Sequence, residues 1–171
     1  MKHLVSGSLL VLMVFVTPAQ AADVLIRITG NIKVNTCELS AASQDLSVAM
    51  KTAVLGKARY QEGETFEPTP FSINISKCNS ATAAAHVTFS GVAEAHDSSI
   101  LSLSQGGASG LGIQLRDAHG EVVALNTPSS RYALQPDITN TLEFSARYIT
   151  TAAVLTPGQA NAVADFAIEY E

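Results

Sequence analysis

Apolar and polar side chains alternate along residues 23–34. Val24, Ile26, Ile28, Gly30, Ile32 and Val34 share one face of an extended chain, and Asp23, Leu25, Arg27, Thr29, Asn31 and Lys33 share the other, because successive strand residues point to opposite sides. The first face is β-branched and apolar apart from Gly30; the second is polar apart from Leu25. The same period of two recurs downstream. Leu46, Val48 and Met50 mark a strand within 45–55. Phe71, Ile73 and Ile75 mark one that ends at Cys78, and Ala85, Val87 and Phe89 another. Residues 100–103 form a short strand, Leu111, Ile113 and Leu115 a longer one, and 121–125 its return. Leu142, Phe144, Ala146 and Tyr148 alternate again, and Phe166, Ile168 and Tyr170 form the apolar face of a last strand. Breakers separate them: a loop over 57–70 with Gly63, Pro68 and Pro70, a Gly-rich loop over 105–110, a hairpin turn at Asp117-Ala118-His119-Gly120, and a turn at Thr156-Pro157-Gly158. No convincing amphipathic helix appears. Many short alternating strands between turns predict an all-β sandwich in one domain.

The first residues change the picture of the opening strand. Lys2 and His3 form a basic start, Leu9 to Val16 is an unbroken apolar run, and Ala19-Gln20-Ala21 offers small residues before a cleavage point. That layout is a secretory signal, and the apolar run is too short to span a bilayer. A cut after Ala21, with Ala22 the alternative, leaves 150 residues, and places the 23–34 strand at the start of the mature chain. Chain termini are poorly ordered unless something ties them down. Nine Lys and Arg then face fifteen Asp and Glu, a net charge of −6. This argues against nucleic acid as a partner and gives no pull toward anionic lipid, so neither nucleic-acid binding nor direct membrane insertion is expected. With 47% hydrophobic and 15% charged residues, the domain suits a subunit that buries much of its surface.

Candidate chemistry is sparse. Cys37 and Cys78 are an isolated pair in a chain bound for an oxidising compartment, which most simply reads as a disulfide. Closing that loop would stabilise by roughly 4 kcal/mol in the chain-entropy model. A metal site is the competing reading, and the spacing and the lack of a nearby His argue against it. Ser109 lacks the glycine two residues later that a nucleophile elbow requires. His96-Asp97 is a bare adjacent pair, and His86, His96 and His119 read as solvated surface residues. No zinc-protease, phosphate-loop or EF-hand pattern is present. No catalytic residue, metal or cofactor is assigned, and the chain is not expected to be an enzyme.

Ala22-Asp23 with the alternating extension and Gly30 in register, Cys37, Phe89-Ser90-Gly91-Val92-Ala93, Gly110-Leu111-Gly112-Ile113-Gln114-Leu115, Gly158 fourteenth from the end and the penultimate Tyr170 together resemble pilin subunits of fimbriae built by the chaperone–usher pathway. The middle segments are most similar to type 1 minor, or adaptor, subunits. The resemblance implies an incomplete immunoglobulin-like sandwich lacking its seventh strand, with a free N-terminal donor strand. It implies a signal peptide over 1–21, a donor extension over 22–33 and a pilin domain over 34–171. It implies a structural subunit that polymerises by donor-strand exchange and contributes to pilus assembly and cell adhesion. Implied partners are a periplasmic pilus chaperone, an outer-membrane usher and neighbouring fimbrial subunits, on a route through the periplasm to the cell surface. Val24, Ile26, Ile28, Gly30 and Ile32 would be donor positions. Gly158, Phe166, Ile168, Tyr170 and Glu171 would border the groove that receives the chaperone's or a neighbour's strand, the terminal carboxylate being held by basic chaperone residues. The alternatives are a receptor-binding adhesin, or a self-contained secreted sandwich in which 23–34 is an ordinary first strand.

Overall fold

The computed structural model describes residues 37–171. The signal segment and the alternating stretch over 23–34 lie outside the described residues. Eight strands and one helical turn follow Cys37: β1 Glu38–Leu39, α1 Ala41–Gln44, β2 Thr69–Ser76, β3 Ala84–Gly91, β4 Leu101–Ser102, β5 Leu111–Asp117, β6 Tyr132–Ala133, β7 Asn140–Thr150 and β8 Ala164–Tyr170. They make two sheets, in the orders β1-β2-β7-β5-β4 and β6-β3-β8, and every ladder is antiparallel. The fold is the two-sheet, nearly all-β sandwich that the pattern predicts.

Period-two patterning places the core. In β7, Asn140, Leu142, Phe144, Ala146 and Tyr148 are buried, while Thr141 and Glu143 are exposed and Ser145 and Arg147 half-buried. Phe144 is the centre of an aromatic cluster that joins the sheets. Its ring stacks on Phe71 of β2 at 5.6 Å, meets Phe89 of β3 edge-on at 5.1 Å, and tilts against Tyr132 of β6 at 5.3 Å. Such offset and edge-to-face pairs add about 0.5–1.5 kcal/mol each beyond burial. The Tyr132 hydroxyl donates to the Glu143 carbonyl at 2.6 Å, and burial pushes its pKa up to about 12, so it remains a neutral donor at physiological pH. The predicted hairpin turn is present. The buried Asp117 carboxylate accepts the N–H groups of His119 and Glu121, and Gly120 takes the positive φ that the turn requires.

Cys37 and Cys78 are joined in a disulfide. With β1 paired to the end of β2, it fixes the start of the domain against the β2–β3 connection.

Three segments differ from the expected pattern. Residues 121–125 are not a strand: Val122 forms one isolated bridge with Arg116, and Val123 donates to the Leu115 carbonyl. Pro70 belongs to β2 rather than to the loop before it, where β7 is the strand's one ladder partner, as suits a residue without an N–H. Residues 45–55 carry the strand pattern but form no ladder. Val48 and Met50 are half-buried, then the inward face slips by one to Ala53 and Leu55, and Lys51 N–H bonds to the Thr69 hydroxyl at 3.0 Å instead of to a carbonyl. A cleft of about 350 Å³ separates 42–49 from β2. The alternation is genuine, but the backbone that would complete its ladder is missing among the described residues.

Replacing Phe144 with Ala removes the residue that touches both sheets. It should lower the unfolding free energy of the mature chain by about 3–5 kcal/mol, the usual cost of deleting a buried aromatic, read from the urea midpoint at unchanged denaturant slope.

Candidate functional site

The two ends of the sandwich differ. At one pole lie the disulfide, the start of β7, the start of β3 and the end of β8. Asn140 Nδ2 is 3.5 Å from the Cys78 sulfur, and Glu171 N donates to the Ala84 carbonyl. At the opposite pole lie the end of β7, the end of β3 and the start of β8, with Gly91 facing Ala164 and Leu111 facing Thr150. We refer to these as the disulfide pole and the far pole.

Between the poles runs a groove of about 1460 Å³. Phe71, Ile73, Phe89, Ile113, Leu115 and Tyr148, from both sheets, form its floor. One rim is 45–55, leading from the disulfide pole to the far pole, where Tyr60 N–H binds the Ala153 carbonyl at 2.9 Å. The other rim runs back through 156–163 into β8. The rims are therefore antiparallel, and neither has a strand on its groove side among the described residues. β8 ends the order β6-β3-β8, and among the described residues only the Lys51 N–H of 45–55 has a hydrogen-bond partner. Two facing backbone edges stand over an apolar floor. Unpaired edges of this kind are templates for another strand.

β8 is held from its inner side. All seven of its residues pair with β3, from Ala164↔Gly91 to Tyr170↔Ala85. Phe166, Ile168 and Tyr170 are half-buried toward the core, and Asp165, Ala167 and Glu169 are exposed, as the alternation requires. Beyond Tyr170, the Glu171 carbonyl oxygen accepts the Ala83 and Ala84 N–H groups. Its side-chain carboxylate lies 3.2 Å from Arg131 Nε and 3.2 Å from His86 Nε2, while His86 Nδ1 lies 2.8 Å from the Ser129 carbonyl oxygen. His86 is thus not the solvated surface histidine that the sequence suggests. The hydrogen bond from Arg131 holds the Glu171 carboxyl below the usual carboxylate range, assisted by His86.

Gly158 sits in the second rim, where two backbones cross. A Cβ at Gly158 would lie 2.7 Å from the Gly107 carbonyl carbon, and one at Gly107 would lie 2.0 Å from the Gln159 carbonyl oxygen. The crossing is bonded through Ala108 N–H to Gln159 O and through Ser109 and Thr156, which exchange both bonds. Tyr148 extends from β7 to donate to the Ala160 carbonyl. Sequence reasoning singled out Gly158 but read Gly107 only as loop flexibility. It also missed the 45–55 rim, for which the slipped alternation was the available signal, and the partners of Glu171, which are distant in sequence.

The structure thus brings Gly158, Phe166, Ile168, Tyr170 and Glu171 to one rim and its end. The donor positions Val24, Ile26, Ile28, Gly30 and Ile32 lie outside the described residues. No arrangement of a serine hydroxyl on a histidine that in turn meets an acid forms among the described residues: His86 meets Glu171 but touches Ser129 through its backbone carbonyl, His96 contacts Glu94, and His119 contacts Ser130. No cluster of three His, Cys, Asp or Glu that could hold a metal occurs among them.

Comparison with known proteins gives consistent matches. A family model described as fimbrial protein matches residues 26–171. The probable major fimbrial subunit LpfA of Escherichia coli O157:H7 is 35% identical over 90% of this chain and 86% of its own length. The type-1 fimbrial protein A chain of Salmonella typhi is 35% identical over the whole of both chains. A crystal structure of a Burkholderia pseudomallei antigen and type I fimbria protein, 34% identical, superposes with a TM-score of 0.61 over 78% of this chain and 88% of that one. The P pilus rod subunit PapA, 24% identical, shares the fold at a TM-score of 0.66 over 79% of this chain and 99% of its own.

Two outcomes follow from the rim. A carboxyl whose folded pKa is depressed stabilises above its unfolded pKa and loses that contribution as pH falls through the folded value. Amides at the end of β8 and at Ala83 and Ala84 should therefore lose hydrogen-exchange protection on acidification, and Glu171→Gln should show the weaker protection already at neutral pH with a flatter dependence. Gly158→Ala should push the crossing apart and raise exchange at the Ala108 and Ser109 amides, leaving the β2–β7 ladder protected.

Proposed function

The chain belongs to the fimbrial protein family, and we propose on that basis that it is a subunit of chaperone–usher pili and polymerises by donor-strand exchange. Residues 1–21 are removed as the signal peptide, 22–33 are the donor extension, and 34–171 form the pilin domain. The extension enters the groove of one neighbour, and the groove accepts the extension of another. The observation that carries this reading is the open groove itself, with two antiparallel backbone edges facing each other over an apolar floor.

The donor pattern suits that receptor. A strand laid between the rims would offer main-chain bonds to both, and its alternate side chains would point at the floor and set the register. Val24, Ile26, Ile28 and Ile32 are the plugs, and at roughly 1.5–3 kcal/mol per fully buried aliphatic side chain they supply on the order of 6–12 kcal/mol before ordering costs. Gly30 is a point of close backbone approach. Before assembly, a periplasmic chaperone would cover the same groove beside Phe166, Ile168 and Tyr170, and exchange would take place at the outer-membrane usher. The main-chain carboxyl group of Glu171 is then shared between the chaperone's basic residues and the subunit's own Ala83 and Ala84, while Arg131 holds the Glu171 side chain. The assembled subunit is extracellular, with a structural rather than enzymatic role.

The middle segments 89–93 and 110–115 support placement as an adaptor. The name of the relative described as a probable major fimbrial subunit favours a second reading, a repeating rod subunit. Quantitative mass spectrometry of purified fimbriae separates them: a few copies per fibre fit the adaptor, and hundreds fit the rod.

A synthetic peptide of residues 22–33 should bind the mature chain and raise its melting temperature, and the same peptide with Ile28→Asp should do neither. In the whole chain, Ile28→Asp should leave chaperone binding intact and block docking into the next subunit. A mature chain that is already a fully exchange-protected monomer and ignores the peptide would overturn the reading.

A further inference from the structure

Seven large hydrophobic residues are exposed among the described residues, and four of them stand at the far pole. Val54 is 81% exposed, Val92 75%, Val154 62% and Val163 78%. Their placement follows from the ladders. Val92 follows the last residue of β3, and Val163 precedes the first of β8, its carbonyl 2.9 Å from where a Cβ on Gly91 would lie. Val154 lies beyond the end of β7, with its carbonyl equally close to Gly110. Val54 stands one residue before the end of the 45–55 rim, which the Tyr60–Ala153 bond beyond it ties to the same pole. Isolated exposed apolar residues are ordinary on protein surfaces. A crown of four valines at one pole, one of which, Val163, lines the apolar groove, is not a scatter.

On the reading that the groove accepts a donor strand, crowding at the poles decides which way the strand runs. This chain's own extension leaves at Cys37, at the disulfide pole. A strand inserted parallel to β8 would bring the incoming neighbour's body to that same pole, where it would crowd the outgoing extension. A strand antiparallel to β8, and so parallel to 45–55, leaves the groove at the far pole, clear of that extension. The donor's body then cannot be distant. Only Asn35 and Thr36 separate Val34 from Cys37, a reach of about 11 Å at full extension.

We propose that the valine crown is the docking face for the body of the donor subunit, and that its occupant is the disulfide pole of a second copy of this chain, the neighbour that the rod-subunit reading supplies. That pole offers an apolar counterpart. Ile138 is 50% exposed in the loop where Asp137 N–H binds the Cys78 carbonyl. The junction between neighbours is thus a strand in a groove plus a body-to-body contact, and the contact adds to a complex that the strand alone would form.

The proposal rests on the donor-strand reading, and two measurements on the full mature chain separate them. One is binding of a fluorescent peptide of residues 22–33, which has no body. The other is dissociation of mature chain from surface-immobilised mature chain. The double variant Val92→Ser/Val154→Ser should bind the peptide as the wild type does, which also reports an intact fold, while chain-to-chain dissociation speeds up by about tenfold or more, since interface changes act mainly on dissociation. Ile138→Ser in the mobile chain should have the same effect. Equal dissociation of variant and wild type, with normal peptide binding, overturns the valine contact and leaves the donor strand standing. Wild-type chains that bind the peptide but not each other overturn it too. Loss of peptide binding in the valine variant would make those residues part of the groove, against the proposal. A wild-type chain that does not bind the peptide brings down the donor-strand reading and this inference with it.

Discussion

The structure depends on an unmet requirement for backbone hydrogen bonding. A strand edge satisfies its N–H and C=O groups with a neighbour or leaves them to water, and it becomes a template for another chain when apolar surface lies beside it. Here two such edges face each other, β8 on one side and 45–55 on the other, over a floor drawn from both sheets. They are held very differently. β8 is zipped to β3 along its whole length and fastened past its end by Glu171. The 45–55 rim rests on a few apolar anchors and the Lys51–Thr69 bond. One edge is bonded along its whole length, and the other has few bonds of its own.

The floor explains how a groove of this size persists beside a packed core. Phe71 and Phe89 belong to it and also to the aromatic cluster around Phe144, which Tyr132 completes. The cluster ties the sheets together below the groove, so the sandwich does not need the groove's occupant to define its centre. Whatever enters extends the core rather than creating one. The Gly107–Gly158 crossing and the Tyr148–Ala160 bond hold the second rim clear of the floor. Side chains larger than hydrogen at that crossing would meet backbone, which cannot yield as a flexible side chain does.

Most of the sandwich was legible in the sequence, because half-buried strands print their period of two directly. β2, β3, β5, β7 and β8 all appear in the alternation. The failures have one physical source. At 45–55 and 121–125 the side-chain pattern is right, yet a strand is also a statement about a hydrogen-bonded neighbour, and no single segment encodes whether one is there. The candidate rim was legible where chemistry is local, as in the apolar face of Phe166, Ile168 and Tyr170. It was not legible where two distant segments meet. Gly107 has a reason only when Gln159 is beside it, and His86 looks solvated until Ser129 and Glu171 close around it.

The two poles complete the argument. On the proposed donor-strand exchange, an extension that leaves one pole and a groove whose occupant leaves at the other would make a contact between unlike surfaces, the apolar crown of one subunit and the disulfide end of the next. Heterologous contacts of this kind build rings when the rotation closes and filaments when it does not. With about 11 Å of chain between strand and body, each subunit's orientation would then be set by the face it lands on as well as by the strand it donates. The low charged fraction, 15% of the sequence, then has a structural reading: the donor face, the groove floor and the far pole are all surfaces that the fibre would cover.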